Sequence, residues 1–292
     1  MDDHAGFVSR LTSWYAAHAR DLPWRRPGVD GWGVLVSEVM LQQTPVNRVL
    51  PVWEAWMRRW PVPAALASEP SGEAIRMWGR LGYPRRALRL HECAQAVCER
   101  HGGEVPQDLE ALLALPGVGT YTARAVAVFA YGQRHPVVDT NVRRVAARVV
   151  HGKADAGPST TSADLTTVEA LLPMEQAVAA RVSVALMELG ALVCVARTPR
   201  CEGCPVRQDC AWYALGRPAA PGPTRRRQEY AGTDRQVRGL LLAVLRASDG
   251  AVPRRVLDAV WPDSVQRNRA LEGLLADGLA VRLPDDHYAL PH

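Results

Sequence analysis

A glycine turn, two acids and four cysteines are the residues of this chain whose types and spacing could do chemistry. Leu115-Pro116-Gly117-Val118-Gly119 separates two helical patterns. Pro116 lacks an amide donor, and Gly117 and Gly119 can take positive φ, so the segment turns instead of continuing a helix. Ala123, Val126, Ala127 and Ala130 then restore the helical period. The pattern predicts a helix–hairpin–helix. Its glycines bring backbone N–H groups to the surface at a helix N-terminus, where an anion is favoured. A DNA phosphate fits such a place, and contacts of this type set register without reading sequence. On the glycine spacing alone, a plain helix–turn–helix corner fits equally well.

Some twenty residues past the hairpin, Asp139 stands between the apolar pair Val137-Val138 and a new helix. Asp, Thr and Asn are all good N-cap types, so Asp139-Thr140-Asn141 makes a capped helix whatever else it does. The chemical alternative is a carboxylate held at the mouth of a cleft. Glu38 is the second acid of interest. It shares a helix face with Leu41 and Gln42. Its helix is otherwise apolar at Val34, Val36, Val39 and Met40. Burying an acid there is costly and raises its pKa. A carboxylic acid kept protonated near neutral pH can act as a general acid. The competing expectation is a solvated glutamate on an amphipathic helix.

Cys194, Cys201, Cys204 and Cys210 have the spacing C-x6-C-x2-C-x5-C. Four thiolates so placed suit zinc or a cubane cluster. Structural zinc sites usually carry two short C-x2-C knuckles, and this run has one. Cys93 and Cys98 fall on a predicted helix and are expected to pack, not to ligate.

The elements that must position these groups are read as helices throughout the first 215 residues. Amphipathic or apolar helices are expected at 5–19, 32–49, 50–60, 63–68, 71–79, 84–101 and 107–114. The 50–60 helix carries Trp53, Trp56 and Trp60 as core. The chain has 292 residues, 48% of them apolar, and a net charge of +5 that suits a polyanion. Its basic residues are almost all arginine, Lys153 being the only lysine. The absence of an 18-residue apolar run argues against a membrane span, and the acidic start MDDHAGFVSR lacks a signal-peptide core. A cytoplasmic protein with reduced or metal-bound cysteines is expected.

Six motifs occur in a fixed order: LPWR (22–25), SEVMLQQT (37–44), LGYPRRA (81–87), LPGVGTYTA (115–123), VDTNVRRV (138–145) and MELGA (187–191). Together they resemble the adenine DNA glycosylases of the MutY type, within the helix–hairpin–helix, endonuclease III-like superfamily, over roughly residues 5–215. The resemblance implies an all-α fold. A discontinuous iron–sulfur helical domain (1–26 and 136–215) would accompany a six-helix barrel with the helix–hairpin–helix (27–135). It implies that Glu38 protonates the adenine ring and then handles the water, while Asp139 stabilises the oxocarbenium ion. Tyr121 and Asn141 would support this pair. Trp24, Arg25, Leu41 and Glu188 would line the pocket for the flipped adenine. Gln42, Gln43, Thr44 and Tyr83 would meet the duplex, with Gln43, Thr44 and Tyr83 wedging into it, and Gly117, Val118 and Gly119 would hold the phosphate. The cysteine spacing is similar to the [4Fe–4S] loop of the same families.

The implied partner is double-stranded DNA with an A:8-oxoguanine or A:G mispair, bound by a monomer. A base inside a duplex must be extruded before chemistry, and inserted side chains offset part of that cost. Bifunctional relatives carry a lysine where Tyr121 stands and form a Schiff base with it. Tyrosine there implies base excision without strand cleavage. A thymine or uracil mismatch glycosylase and a non-catalytic iron–sulfur DNA binder are the alternatives.

Residues 216–233 read as a linker rich in Pro, Gly and Arg, with Arg225-Arg226-Arg227 near its end. Residues 234–292 predict three helices (234–247, 253–260, 264–277) and a hairpin (279–283, 287–290). That order resembles a small winged helix, which could contact DNA or pack against the rest. It is too short for the Nudix-like domain with which many adenine glycosylases end.

Overall fold

The structure, a computed structural model, describes residues 2–220 and 230–292. Arg225-Arg226-Arg227 and the centre of the expected linker lie outside the described residues. The helices run α1 (Asp2–His18), α2 (Gly31–Leu41), α3 (Val46–Arg59), α4 (Pro63–Ala67), α5 (Ser71–Trp78) and α6 (Arg85–His101). They continue with α7 (Leu109–Leu113), α8 (Thr120–Phe129), α9 (Thr140–Val149), α10 (Ser162–Leu171), α11 (Gln176–Leu192) and α12 (Ala211–Ala214). The C-terminal elements are α13 (Asp234–Ala247), β1 (Val252–Pro253), α14 (Arg254–Asp258), α15 (Ser264–Ala276), β2 (Val281–Leu283) and β3 (His287–Ala289). No single helix among the described residues is long and apolar enough to cross a membrane.

The chain forms two compact units. The first is drawn from Met1–Val34, Gln107–Leu113 and Val118–Thr224, the second from Leu35–Pro106, Ala114–Gly117 and Arg225–His292. In the first, α11 packs against α1, α8 and α9, and α10 and α12 also pack on α9. Leu11, Val142, Val145, Val182, Leu186 and Leu189 fill its core. They recur on helical spacing, and each full burial stabilises by about 1.5–3 kcal/mol.

In the second unit α6 packs against α4 and α5. Trp56 meets Trp60 edge-on at 4.7 Å and Trp78 at 5.8 Å. Such pairs add about 0.5–1.5 kcal/mol each beyond burial. The tryptophan helix is therefore core, as its spacing predicted.

The helix expected over 32–49 is broken. α2 stops at Leu41 and α3 starts at Val46, with Pro45 as its N-cap residue. Pro45 offers no amide to α2 and disfavours α geometry in the residue before it. The break leaves Gln43 at φ 53. The second predicted boundary, at residue 50, does not exist: α3 runs through Pro51 to Arg59.

The C-terminal elements belong to the second unit. A three-stranded antiparallel sheet, order β1-β3-β2, accompanies three helices. The hairpin was expected; β1 was not, because two residues carry no readable alternation. This region docks on α5. Arg246 Nε donates to the Ile75 carbonyl oxygen at 2.9 Å, Arg76 donates to the Arg246 carbonyl oxygen, and Gly72 N–H donates to the Pro291 carbonyl oxygen at 2.8 Å. Burial pushes the Arg246 guanidinium down to about 10.

Candidate active site and cysteine cluster

Asp139 is the N-cap residue of α9. Its Oδ1 accepts from Val142 N–H at 2.7 Å and its Oδ2 from Asn141 Nδ2 at 2.9 Å. The capping expectation is thus correct for one oxygen, and the second is held by a side chain two residues on. Asn141 Oδ1 accepts from Arg144 Nη2 at 2.8 Å. Arg144 also donates to the carbonyl oxygens of Gly190 and Cys194, both at 2.7 Å. A hydrogen-bonded chain therefore runs Asp139–Asn141–Arg144–Cys194. Gly190 makes it possible, since a Cβ there would lie 2.7 Å from the Asn141 Cβ. Burial pushes the Asp139 carboxyl above its ordinary value, and the two donors and the Arg144 charge only partly oppose the rise. Asp139 makes no ion pair among the described residues.

Glu188 on α11 is fully buried. Its Oε1 accepts from Arg20 N–H at 3.0 Å and Nε at 2.7 Å, and its Oε2 from Arg20 Nη2 and Arg25 Nη1, both at 2.8 Å. Burial alone would raise the Glu188 carboxyl. The Arg20 hydrogen bond and the Arg25 charge outweigh it and hold the group at about 2. The structure thus brings Arg25 and Glu188 together and adds Arg20. Trp24, beside Arg25 in the short Pro23–Arg25 turn, is buried. Tyr121, in the first turn of α8, packs against Ala125, Val128 and Val137.

Cys194, Cys201, Cys204 and Cys210 line one recess, together with Arg148 and Trp212. Arg148 Nη1 donates to Cys194 Sγ at 3.3 Å, and its guanidinium lies 4.6 Å from the Trp212 ring centre. Burial pushes the Cys204 thiol up to about 11, and the charges of the other three thiols add to the rise. Four thiols that oppose one another's ionisation call for a cationic occupant. Four thiols around one recess fit a cubane cluster. Cys93 sits in the other unit on α6, buried, its thiol pushed up to about 12 by that burial.

In the second unit Glu38 is 5% exposed, on α2 between Ser37 at 0% and Val39 at 6%. It is not the solvated acid of an amphipathic helix. Leu41 and Gln42 are half-buried and Gln43 is exposed. Tyr83 is 54% exposed. Thr44, expected to wedge into the duplex, is buried, and its hydroxyl donates towards the carbonyl oxygens of Gln42 (3.2 Å) and Leu81 (3.3 Å). Its side chain supports the turn from within.

In the hairpin, Gly117 takes φ 75, and a Cβ there would lie 2.7 Å from Arg89 Cβ. Gly119 does not use positive φ. It is extended (φ −94, ψ 176) and caps α8 without a side-chain bond, which leaves first-turn amides for an anion. Val118 is buried, so only its backbone can serve such a contact.

Sequence reasoning missed Arg144 and Arg148. Their signal was present: Asn141, Arg144 and Arg148 follow one another at three and four residues, on one face of α9. Arg20 gave no signal, since its partner lies far away in sequence.

Residues 36–170 match the family model described as HhH-GPD superfamily base excision DNA repair protein, and residues 194–210 match the iron–sulfur binding domain of endonuclease III. The chain is 58% identical over 284 residues to the adenine DNA glycosylase of Mycobacterium tuberculosis, covering 97% of this chain and 93% of that protein. Among solved structures it is similar to a thermostable thymine-DNA glycosylase, with a TM-score of 0.66, 29% identity, and coverage of 73% of this chain and 98% of that one. It shares the fold of endonuclease III in a trapped covalent complex with DNA, with a TM-score of 0.60, 21% identity, and coverage of 72% and 94%.

Proposed function

Because the chain belongs to the adenine DNA glycosylases of the HhH-GPD superfamily, we propose that it removes adenine mispaired with 8-oxoguanine or guanine and leaves the DNA strand uncut. The chain is a base-excision repair glycosylase that binds DNA and carries a [4Fe–4S] cluster on Cys194, Cys201, Cys204 and Cys210. The cluster shapes the loop that holds it.

Glu38 donates its proton to the adenine ring as the bond from the base to the sugar breaks. The electron pair leaves with the base, and positive charge appears on the sugar ring. Asp139 faces that charge as a carboxylate. Water then adds to the sugar carbon, and the Glu38 carboxylate takes the proton that the water releases. The products are free adenine and an abasic site. This is glycoside hydrolysis with two carboxyl groups in different roles.

The observation that carries the reading is the state of Asp139. It is half-buried, and only neutral donors hold it directly, the Val142 amide and the Asn141 side chain. Its negative charge is not cancelled by an ion pair and is left for a sugar cation. Tyr121 in place of a lysine, and the distance in sequence of the sole lysine Lys153, support excision without Schiff-base formation. Gln43 and Tyr83, both exposed, are assigned to the duplex, and the glycine hairpin to its phosphates.

The test is single-turnover adenine release by the native enzyme and by Glu38→Gln, with 8-oxoguanine, guanine or cytosine opposite the adenine. Native release should be fast for the first two partners and slow for cytosine. Glu38→Gln should lose about 10²-fold or more, the scale of general acid–base catalysis, while still binding the duplex. A loss of only a few-fold would remove Glu38 from the role of general acid.

A further inference from the structure

Gln43 and Tyr83 share a feature that their sequence does not announce. Both are non-glycine residues in the left-handed region, with φ 53 and φ 47. Side chains rarely adopt that backbone, and it persists only where surrounding groups enforce it. Both belong to the second unit, on two turns: residues 42–45 between α2 and α3, and residues 82–84 before α6.

One side chain grips both turns. Arg86 Nη1 donates to the carbonyl oxygens of Val39 (2.7 Å), Met40 (3.1 Å) and Gln42 (2.6 Å). The first two are among the last carbonyls of α2, which lose their amide partners where the helix stops, and the third follows just beyond it. Arg86 Nη2 donates to Thr44 Oγ1 at 3.0 Å and to the Gly82 carbonyl oxygen at 3.2 Å. The guanidinium also lies 5.5 Å from the Tyr83 ring centre and 5.2 Å from that of Trp78. Its backbone N–H donates to the Tyr83 carbonyl oxygen at 3.0 Å.

Arg86 makes no ion pair among the described residues, so its burial is not explained by a nearby acid. Burial pushes it down to about 10, which leaves it charged at neutral pH. Carbonyl dipoles and two aromatic faces replace the acid. The two nitrogens of the flat arginine fork together serve both turns, Nη2 reaching Thr44 in one and Gly82 in the other, whereas the single ammonium of lysine cannot hold all these acceptors.

We propose that Arg86 is a positioning residue that binds the Gln43 turn and the Tyr83 turn into one rigid wedge, on which extrusion of the target base depends. The inference rests on the reading that Gln43 and Tyr83 enter the duplex. A side chain inserted into a stack must resist being pushed back, and two turns free to relax to ordinary backbone angles would yield. Arg86 prevents that by occupying the carbonyls that relaxation would turn away. Thr44 serves the same bracket, which accounts for its burial.

The experiment compares two substrates in single-turnover assays with the cluster-loaded full chain. One duplex pairs the adenine with 8-oxoguanine. The other carries the adenine in a bulge, already unstacked. Arg86→Lys should lose about tenfold or more on the paired duplex and within about twofold on the bulge, because only the first requires the work of extrusion. Thr44→Val, which keeps Arg86, should show the same split to a smaller degree. A 2-aminopurine beside the adenine should brighten less with both variants than with the native enzyme. Equal loss on both substrates, or no loss on either, overturns the inference. If Gln43→Ala and Tyr83→Ala show the split and Arg86→Lys and Thr44→Val do not, the wedge stands and Arg86 has no part in it. If Gln43→Ala and Tyr83→Ala show no split, the wedge reading falls and the inference with it.

Discussion

Replacing Asp139 by asparagine separates the two things this residue does. As a cap it accepts from Val142 N–H through Oδ1, and asparagine caps a helix about as well as aspartate, so that contact survives. The other side is less forgiving. An amide at position 139 would turn its NH2 towards Asn141 Nδ2, which now donates to Oδ2. Asn141 cannot reverse, because its Oδ1 accepts from Arg144. One buried hydrogen bond is lost, about 1 kcal/mol. Against that, the variant no longer buries a carboxylate whose charged form burial disfavours. The two effects oppose, and the melting temperature should move by no more than about 2–4 °C. Activity should behave otherwise. A unit charge about 4 Å from the sugar cation is worth about 4 kcal/mol at an effective dielectric of about 20. That corresponds to about a thousandfold in rate. Single-turnover adenine release and a thermal melt of the same preparation check both halves. Activity within tenfold of native would refute the electrostatic role. A melting temperature lowered by about 10 °C or more would show that the cap and the Asn141 network, not catalysis, account for the loss.

Tyr121→Lys should allow a covalent adduct with substrate DNA to be trapped by borohydride, since it restores the amine that bifunctional relatives use; no adduct means that position 121 does not reach the sugar. Glu188→Gln should cost about 3 kcal/mol at neutral pH by leaving Arg20 and Arg25 without their acid. The Glu188 carboxyl is held at about 2, below its ordinary value, so its stabilisation is full at neutral pH and is lost as the pH falls from about 4 towards 2. The gap in melting temperature between native and variant should therefore close over that window, and a constant gap would contradict the ion-pair account. Arg246→Met should leave the Ile75 carbonyl oxygen unpaired and cost about 1–3 kcal/mol in stability, with adenine release and DNA affinity unchanged. Weaker DNA binding at an unchanged melting temperature would make the C-terminal region a DNA reader instead of a brace. Its arginines favour the brace, because Arg238, Arg254, Arg267, Arg269 and Arg282 are each paired with an aspartate of the same region.

The parts of the site that were legible in the sequence are those set by local chemistry. Cysteine spacing, an N-cap triplet and an acid in an apolar helix each constrain one short contiguous stretch. The four cysteines could be named for that reason, whereas Glu38 and Asp139 were candidates on local chemistry and drew their roles from the motif resemblance. The hairpin was legible too, although Gly119 proved extended and only Gly117 needed its freedom. The break at Gln42–Pro45 was written in Pro45 and was overridden by the strong apolar period on either side. What the sequence could not display is pairing across distance. Arg20 meets Glu188, Arg86 meets the end of α2, and Arg246 meets α5 only once the helices have packed. A chain rich in arginine offers many candidates for each acceptor, and nothing in the spacing of Arg86 separates it from Arg85 or Arg89. The two-residue strand β1 is the same problem in another form, because its pairing with β3 exists only after folding.

The central claim is that this chain releases adenine, by hydrolysis, from a mispair. The most direct measurement is single-turnover release from duplexes carrying A:8-oxoguanine, A:G, T:G, U:G and A:T, scored for strand scission with and without alkali. Adenine should be lost from the first two and not from A:T, with strand breaks only after alkali. Release of thymine or uracil, or breaks without alkali, would contradict the claim.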